Sequence, residues 1–153
     1  MSDWYRQVCC SYENIPSFLA AYEKELEDAK AELKLSGITL EQHAARMPGI
    51  TEHRYSQLQE IEAILEFMNL DLKKIRSKKF KHFTHGYELA LSSRDAEKYI
   101  DGDDEVVDQA ILINEVALLR NKFLSISKGL EAKHWQLANV VKLRCAGLED
   151  ATI

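Results

Sequence analysis

The sequence predicts an all-α protein: two long helices plus shorter ones, packed in a bundle or coiled-coil-like manner. Three observations carry this. Apolar residues recur at three-four spacing over three segments, which is the helical period. Six Gly and two Pro in 153 residues are too few for an all-β chain, which needs a turn about every 8–12 residues. No stretch alternates apolar and polar residues with period two. At 46% hydrophobic the chain can build a core, and its length suits a single helical domain over residues 1–153.

The N-terminal helices are expected within residues 1–50. Leu19, Tyr22, Leu26, Ala29 and Leu33 form one stripe, with Pro16 and Ser17 before it and Gly37 after it as start and stop. Glu23, Glu25, Glu27, Asp28 and Glu32 fall on its exposed face with Lys24 and Lys30. Thr39 and Gln42 form a capping box for a short helix, which Pro48-Gly49 should end.

Thr51 is a second N-cap candidate. From there Leu58, Ile61, Leu65, Met68, Leu72 and Ile75 keep the period, so the second segment (51–91) is a long helix from about Glu52 to Tyr87 with a basic C-terminal end. Residues 92–153 hold an acidic break and the C-terminal helices. Arg94 to Ile100 can make about two turns, and Asp103 caps the next long helix, with Asp104 and Glu105 on its dipole. Leu112, Val116, Leu119, Phe123, Ile126 and Leu130 continue the period, and Ile111, Ile113 and Leu118 widen the apolar face. Such a face packs on several neighbours, from the same chain or from identical subunits. Gly129 marks an expected bend or break, after which Leu137, Val140, Val141 and Leu143 resume. Gly147 is the C-cap.

Nothing in the pattern points to an enzyme. There is no Gly-rich phosphate loop, no His-Glu-x-x-His helix and no Gly-x-Ser-x-Gly elbow. His82, His85 and Glu88 have a spacing compatible with metal ligation, but adjacent cations oppose it, so neither metal nor cofactor is expected. Cys145 has no oriented base, His134 being only loosely close to it in sequence. Cys9, Cys10 and Cys145 are expected as free thiols in a reducing cytoplasm. The first residues lack a secretory signal, and uncharged runs such as Gln109 to Asn114 are far short of the ~20 residues of a membrane span.

The charge map carries the functional expectation. The formal net charge of -5 alone argues against nucleic acid. Yet Leu72 to Tyr87 holds Lys73, Lys74, Arg76, Lys78, Lys79 and Lys81 without one acidic residue, and Phe80, Phe83 and Tyr87 are interleaved. Lys74, Lys78, Lys81 and His85 share one helical face. Such a stripe contacts phosphates, and such aromatics stack on unpaired bases. Ordinary solvated helices alternate the sign of charge instead. A second basic area comprises Arg120, Lys122, Lys128, Lys133, Lys142 and Arg144 against Glu131. Acidic charge gathers in Asp95, Glu97, Asp101, Asp103, Asp104, Glu105 and Asp108 against Lys98. Helix capping and solubility explain that cluster, or a contact for a basic partner or a neighbouring subunit does.

The order of these features resembles the UvsY-type recombination mediators of T4-like phages. The basic helix with aromatics precedes SSRDAEKYIDGDDEVVD, then AILINEVALLRNKFLSI, then SKGLEAKHWQLANVVKLRCAG, in which Lys128-Gly129 precedes Lys133-His134 and Arg144 precedes Gly147. The resemblance covers roughly Leu72 to Gly147 and leaves Met1 to Gly49 unmatched. It implies a non-enzymatic accessory factor of DNA recombination and repair, acting in the bacterial host cytoplasm if phage-encoded. Such a factor binds single-stranded DNA non-specifically. It forms homo-oligomeric rings, and it helps load a RecA-like recombinase onto DNA coated by single-strand-binding protein. Its DNA contacts would fall on Lys73, Lys74, Arg76, Lys78, Lys79 and Lys81. Its oligomerising helices would fall on Leu112 to Leu143, through Leu112, Val116, Leu119, Phe123, Ile126, Leu130 and Leu137. The alternatives are a helical adaptor or assembly chaperone that binds no DNA, and a duplex-DNA-binding regulator.

Overall fold

The computed structural model describes residues 3–35, 37, 39–85 and 91–148, apart from the His85 side chain. Regular structure among them is entirely helical: α1 (Asp3–Cys10), a 3-10 turn (Tyr12–Asn14), α2 (Ile15–Glu32), α3 (Leu40–His85), α4 (Ser93–Asp101) and α5 (Asp104–Cys145). No helix among the described residues is long and apolar enough to cross a membrane. Cys9, Cys10 and Cys145 are free thiols.

Several helix ends follow local chemistry. The Thr39 amide donates to Gln42 Oε1 (3.2 Å) and the Gln42 amide to Thr39 Oγ1 (3.3 Å), the reciprocal capping box. Ser92 Oγ accepts from the Asp95 amide at the start of α4. Asp103 Oδ1 accepts from the Glu105 amide (3.1 Å) at the start of α5. At the other end of α5, Gly147 has φ +70°, with Leu148 N–H bonded to Leu143 O and Gly147 N–H to Arg144 O. That pair of bonds is the Schellman motif, which needs a residue tolerant of the left-handed region.

Three expected boundaries are corrected. Pro48-Gly49 does not end a helix, and Thr51 is no cap: α3 runs through all three. Pro48 removes the bond to the Ala44 carbonyl and crowds that carbonyl with its ring, at a cost that packing must offset. Buried side chains on both sides of it, His43 and Met47 before and Arg54 and Leu58 after, hold the two stretches in place. Gly129 does not break α5 either. A Cβ there would sit 2.9 Å from Leu33 Cδ2, so the glycine permits close approach of the Leu33 side chain. Finally, α2 stops at Glu32, short of Gly37. Lys133, only 4% exposed, lies at this end. Its Nζ donates to the carbonyls of Glu32 (2.6 Å) and Lys34 (2.9 Å), satisfying acceptors that the helix end leaves free. Burial pushes the Lys133 ammonium below its ordinary value, with Glu32 opposing.

The chain divides into two compact units. One comprises residues 1–19 and 60–120, the other residues 20–59 and 121–153. In the first, Val8, Ile15, Phe18, Ile61, Ile64, Met68, Ala96, Ile100 and Val116 are buried, and the Trp4 ring packs on Phe18 at 6.0 Å. Tyr12 Oη donates to Asp71 Oδ2 (3.0 Å), and its ring meets Phe67 edge-on. Burial first, and then the bond to Asp71, push the Tyr12 phenol up to about 12.

In the second unit Tyr22, Leu26, Ala29, Met47, Leu58, Phe123, Ile126 and Leu130 are buried, with the Tyr22 and Phe123 rings 5.4 Å apart. A charged residue, Arg54, lies among them at 3% exposure. Its guanidinium bonds Glu32 through two nitrogens (2.8 and 2.9 Å), and its Nη1 reaches Glu25 (2.8 Å) and Gln57 (2.9 Å). This planar fork is what a buried arginine needs to offset desolvation. The Arg54 bond, with one from Gln57, holds the Glu25 carboxyl below the usual range. Glu25 and Glu32, expected on a solvated face, are therefore partners of Arg54.

Candidate nucleic-acid interface

The basic face lies on the C-terminal half of α3, within the first unit. The helical period turns Leu65 and Met68 inward, with Leu72 and Ile75 half-buried. Lys73, Lys74, Lys78 and Lys81 turn outward and are exposed. Among the described residues none of these four makes an ion pair. Phe67, Leu70, Lys73, Lys74, Ser77 and Lys78 line an open groove on this face. The lysines thus flank an apolar floor, on which Leu70 is about half exposed.

The other two expected contacts differ. Arg76 Nη1 bonds Asp101 Oδ1 at 2.8 Å. Lys79 Nζ lies between Asp103 Oδ2 (2.9 Å) and Glu105 Oε2 (3.0 Å). The bond to Asp103, then that to Glu105, pushes the Lys79 ammonium above its ordinary value, and the same bond holds Asp103 below its own. Asp103 therefore caps α5 with one oxygen and neutralises α3 with the other. The acidic break supplies counterions to the basic helix, a role that its capping residues do not announce in the sequence.

Of the three aromatics, Phe80 and Phe83 are half-buried and Tyr87 lies outside the described residues, as does Glu88. Phe83 faces Tyr99 of α4, ring centroids 6.0 Å apart and planes 30° from parallel. Tyr99 itself is 59% exposed. Its position, three residues after buried Ala96 and one before buried Ile100, gives no hint of that exposure.

The second basic area does not assemble as one patch. Lys133 is buried as the α2 cap, Lys122 Nζ is 3.4 Å from Glu23, and Arg120 Nε is buried with no partner among the described residues. Lys128, Lys142 and Arg144 are exposed. The residues expected to join subunits are mostly buried. Val116, Leu119, Phe123, Ile126, Leu130 and Leu137 are buried within the single chain, and Leu112 is half-buried. The wide apolar face of α5 packs on helices of its own chain, whereas Ile111 and Leu118 stay exposed.

No protein-family model, no curated protein and no solved structure matches this chain.

Proposed function

We propose that the protein is a non-enzymatic accessory factor that binds single-stranded DNA through the exposed lysines of α3. The observation that carries this reading is the set Lys73, Lys74, Lys78 and Lys81: four exposed ammonium groups, with no ion-pair partner among the described residues, beside an apolar groove. Phosphates neutralise such a row whatever the base sequence, which makes the binding non-specific and salt-sensitive. An apolar floor favours bases that are not already stacked in a duplex.

The resemblance to UvsY-type mediators extends the proposal. A homo-oligomer repeating this stripe would bind a strand multivalently and hold it for a RecA-like recombinase in exchange for single-strand-binding protein. Since Val116 to Leu137 supply the core of the protomer, the contacts between subunits would come from side chains left exposed, such as Ile111, Leu118, Val141 and Leu143 on α5.

The test is competition between a labelled single-stranded oligonucleotide and duplex DNA, with light scattering on the same samples. Lys74→Ala, Lys78→Ala and Lys81→Ala together should weaken single-strand binding at unchanged particle mass. Absence of binding in low-salt buffer, or preference for the duplex, refutes the reading.

A further inference from the structure

The second unit carries an open groove of ≈ 470 Å³, lined by α3 around Pro48 and by α5 around Glu131. Met47 and Leu130, both buried, supply its apolar floor. Tyr55 and Trp135 also line it, and they are 57% and 67% exposed. Neither ring belongs to the core, whose members on these stretches are Met47, Leu58, Leu130 and Leu137. A third ring, His134, lines the same groove, 6.0 Å from the Trp135 ring and edge-on to it.

The charge on this groove is the reverse of that on α3. Glu52 and Glu131 line it, both exposed and in no ion pair among the described residues. No lysine or arginine among the described residues lines it. Two carboxylates repel the phosphates of a nucleic-acid strand, so the aromatic rings here are poor platforms for its bases. The same groups favour a cation on an apolar stem. The face of an indole or phenol ring attracts a cation, and the carboxylates add to that attraction. The floor takes the methylene groups that carry the charge. Arginine fits better than lysine. Its guanidinium is planar and weakly hydrated, stacks on an aromatic ring, and offers a carboxylate two parallel N–H groups.

We propose that this groove is a docking site for a partner protein, receiving an arginine side chain from an exposed segment of that partner. Trp, Tyr and Arg are the residues that most often carry the binding energy of protein interfaces. The groove uses none of the α3 lysines, so the proposal stands independently of DNA binding.

The experiment uses the full chain and two labelled peptides blocked at both ends. One is Gly-Leu-Arg-Leu-Gly, and the other carries citrulline, the neutral isostere, in place of arginine. Fluorescence anisotropy should show the arginine peptide bound about 5- to 30-fold more tightly, the strength of two cation–π contacts at exposed rings. Trp135→Leu and Tyr55→Leu keep apolar bulk without a π-face, and each should narrow that preference by about 2- to 5-fold. Glu52→Gln with Glu131→Gln should weaken the arginine peptide and leave the citrulline peptide unchanged. All four side chains are exposed, so the variants should melt like wild type. The proposal is overturned if the arginine peptide does not bind, if both peptides bind equally, or if the ring variants keep the full preference. A single-stranded oligonucleotide whose affinity falls on Trp135→Leu would make the groove a base platform. A smaller particle mass for Trp135→Leu in light scattering would fill it with a second copy of the chain. Either result also overturns the proposal.

Discussion

The ion pairs of Arg76 and Lys79 set a number that salt titration can read. Each phosphate neutralised on a single strand contributes about -0.7 to the slope of log affinity against log salt. Were all six cations of α3 free, the slope would be about -4.2 per protomer. With Arg76 held by Asp101, and Lys79 by Asp103 and Glu105, four lysines remain and the slope falls to about -2.8. Between 50 and 200 mM salt that is about a 50-fold loss of affinity rather than about 300-fold. Fluorescence anisotropy of a labelled oligonucleotide, spanning one protomer's face and titrated across this range, measures it. Lys78→Ala should reduce the magnitude of the slope by about 0.7, whereas Lys79→Ala should leave it unchanged. A slope near -4.2 that drops on Lys79→Ala would show that the carboxylates do not hold that cation. A flat slope would remove the phosphate contacts altogether.

Arg54→Ala should destabilise the chain by about 3 kcal/mol in urea unfolding, the lower part of the range for breaking a buried pair, because Glu25 and Glu32 are partly solvated. The depressed Glu25 carboxyl contributes stability above its unfolded value that is lost as pH falls through its folded one. Wild type should therefore weaken in acid from about pH 4.5 downward, and Arg54→Met should weaken less steeply. Tyr12, pushed up to about 12, should ionise above the ordinary tyrosine range in an ultraviolet titration, and Asp71→Asn should bring it down. Its contribution, about 1 kcal/mol after allowance for solvent screening, is present below pH ~10 and is lost as pH rises through the folded value. Phe123→Ala should cost about 3–5 kcal/mol and lower the melting temperature at any protein concentration. A variant that melts like wild type but has a smaller mass would return Phe123 to a subunit interface.

What could be read in advance was local. Thr39 with Gln42, Asp103 with Glu105, and Gly147 lie within one helical turn of the groups they serve, so a sequence window contains both partners. The basic stripe was legible for the same reason. Arg54 and Lys133 were not, because a cation at a core position resembles one on a solvated face until its partners are known. Those partners, the Glu32 side chain and the Glu32 carbonyl, come from another helix. Pro48 misled because a helix interrupter is judged by the bond it removes, whereas packing on both sides decided the outcome. Within the candidate interface the lysines are legible and their internal competitors are not. Asp101, Asp103 and Glu105 look complete as helix-end residues. Tyr99 sits where an amphipathic pattern would bury it.

The carboxylates beside Arg76 and Lys79 bear on time as well as on affinity. A phosphate arriving at either cation must evict a side chain tethered a few ångströms away, and that side chain returns as soon as the phosphate lifts. Tethering gives the competitor a high effective concentration at every instant, unlike a salt ion that must diffuse in. A strand held by Lys73, Lys74, Lys78 and Lys81 would thus find only short-lived contacts at Arg76 and Lys79, which lie between them in sequence.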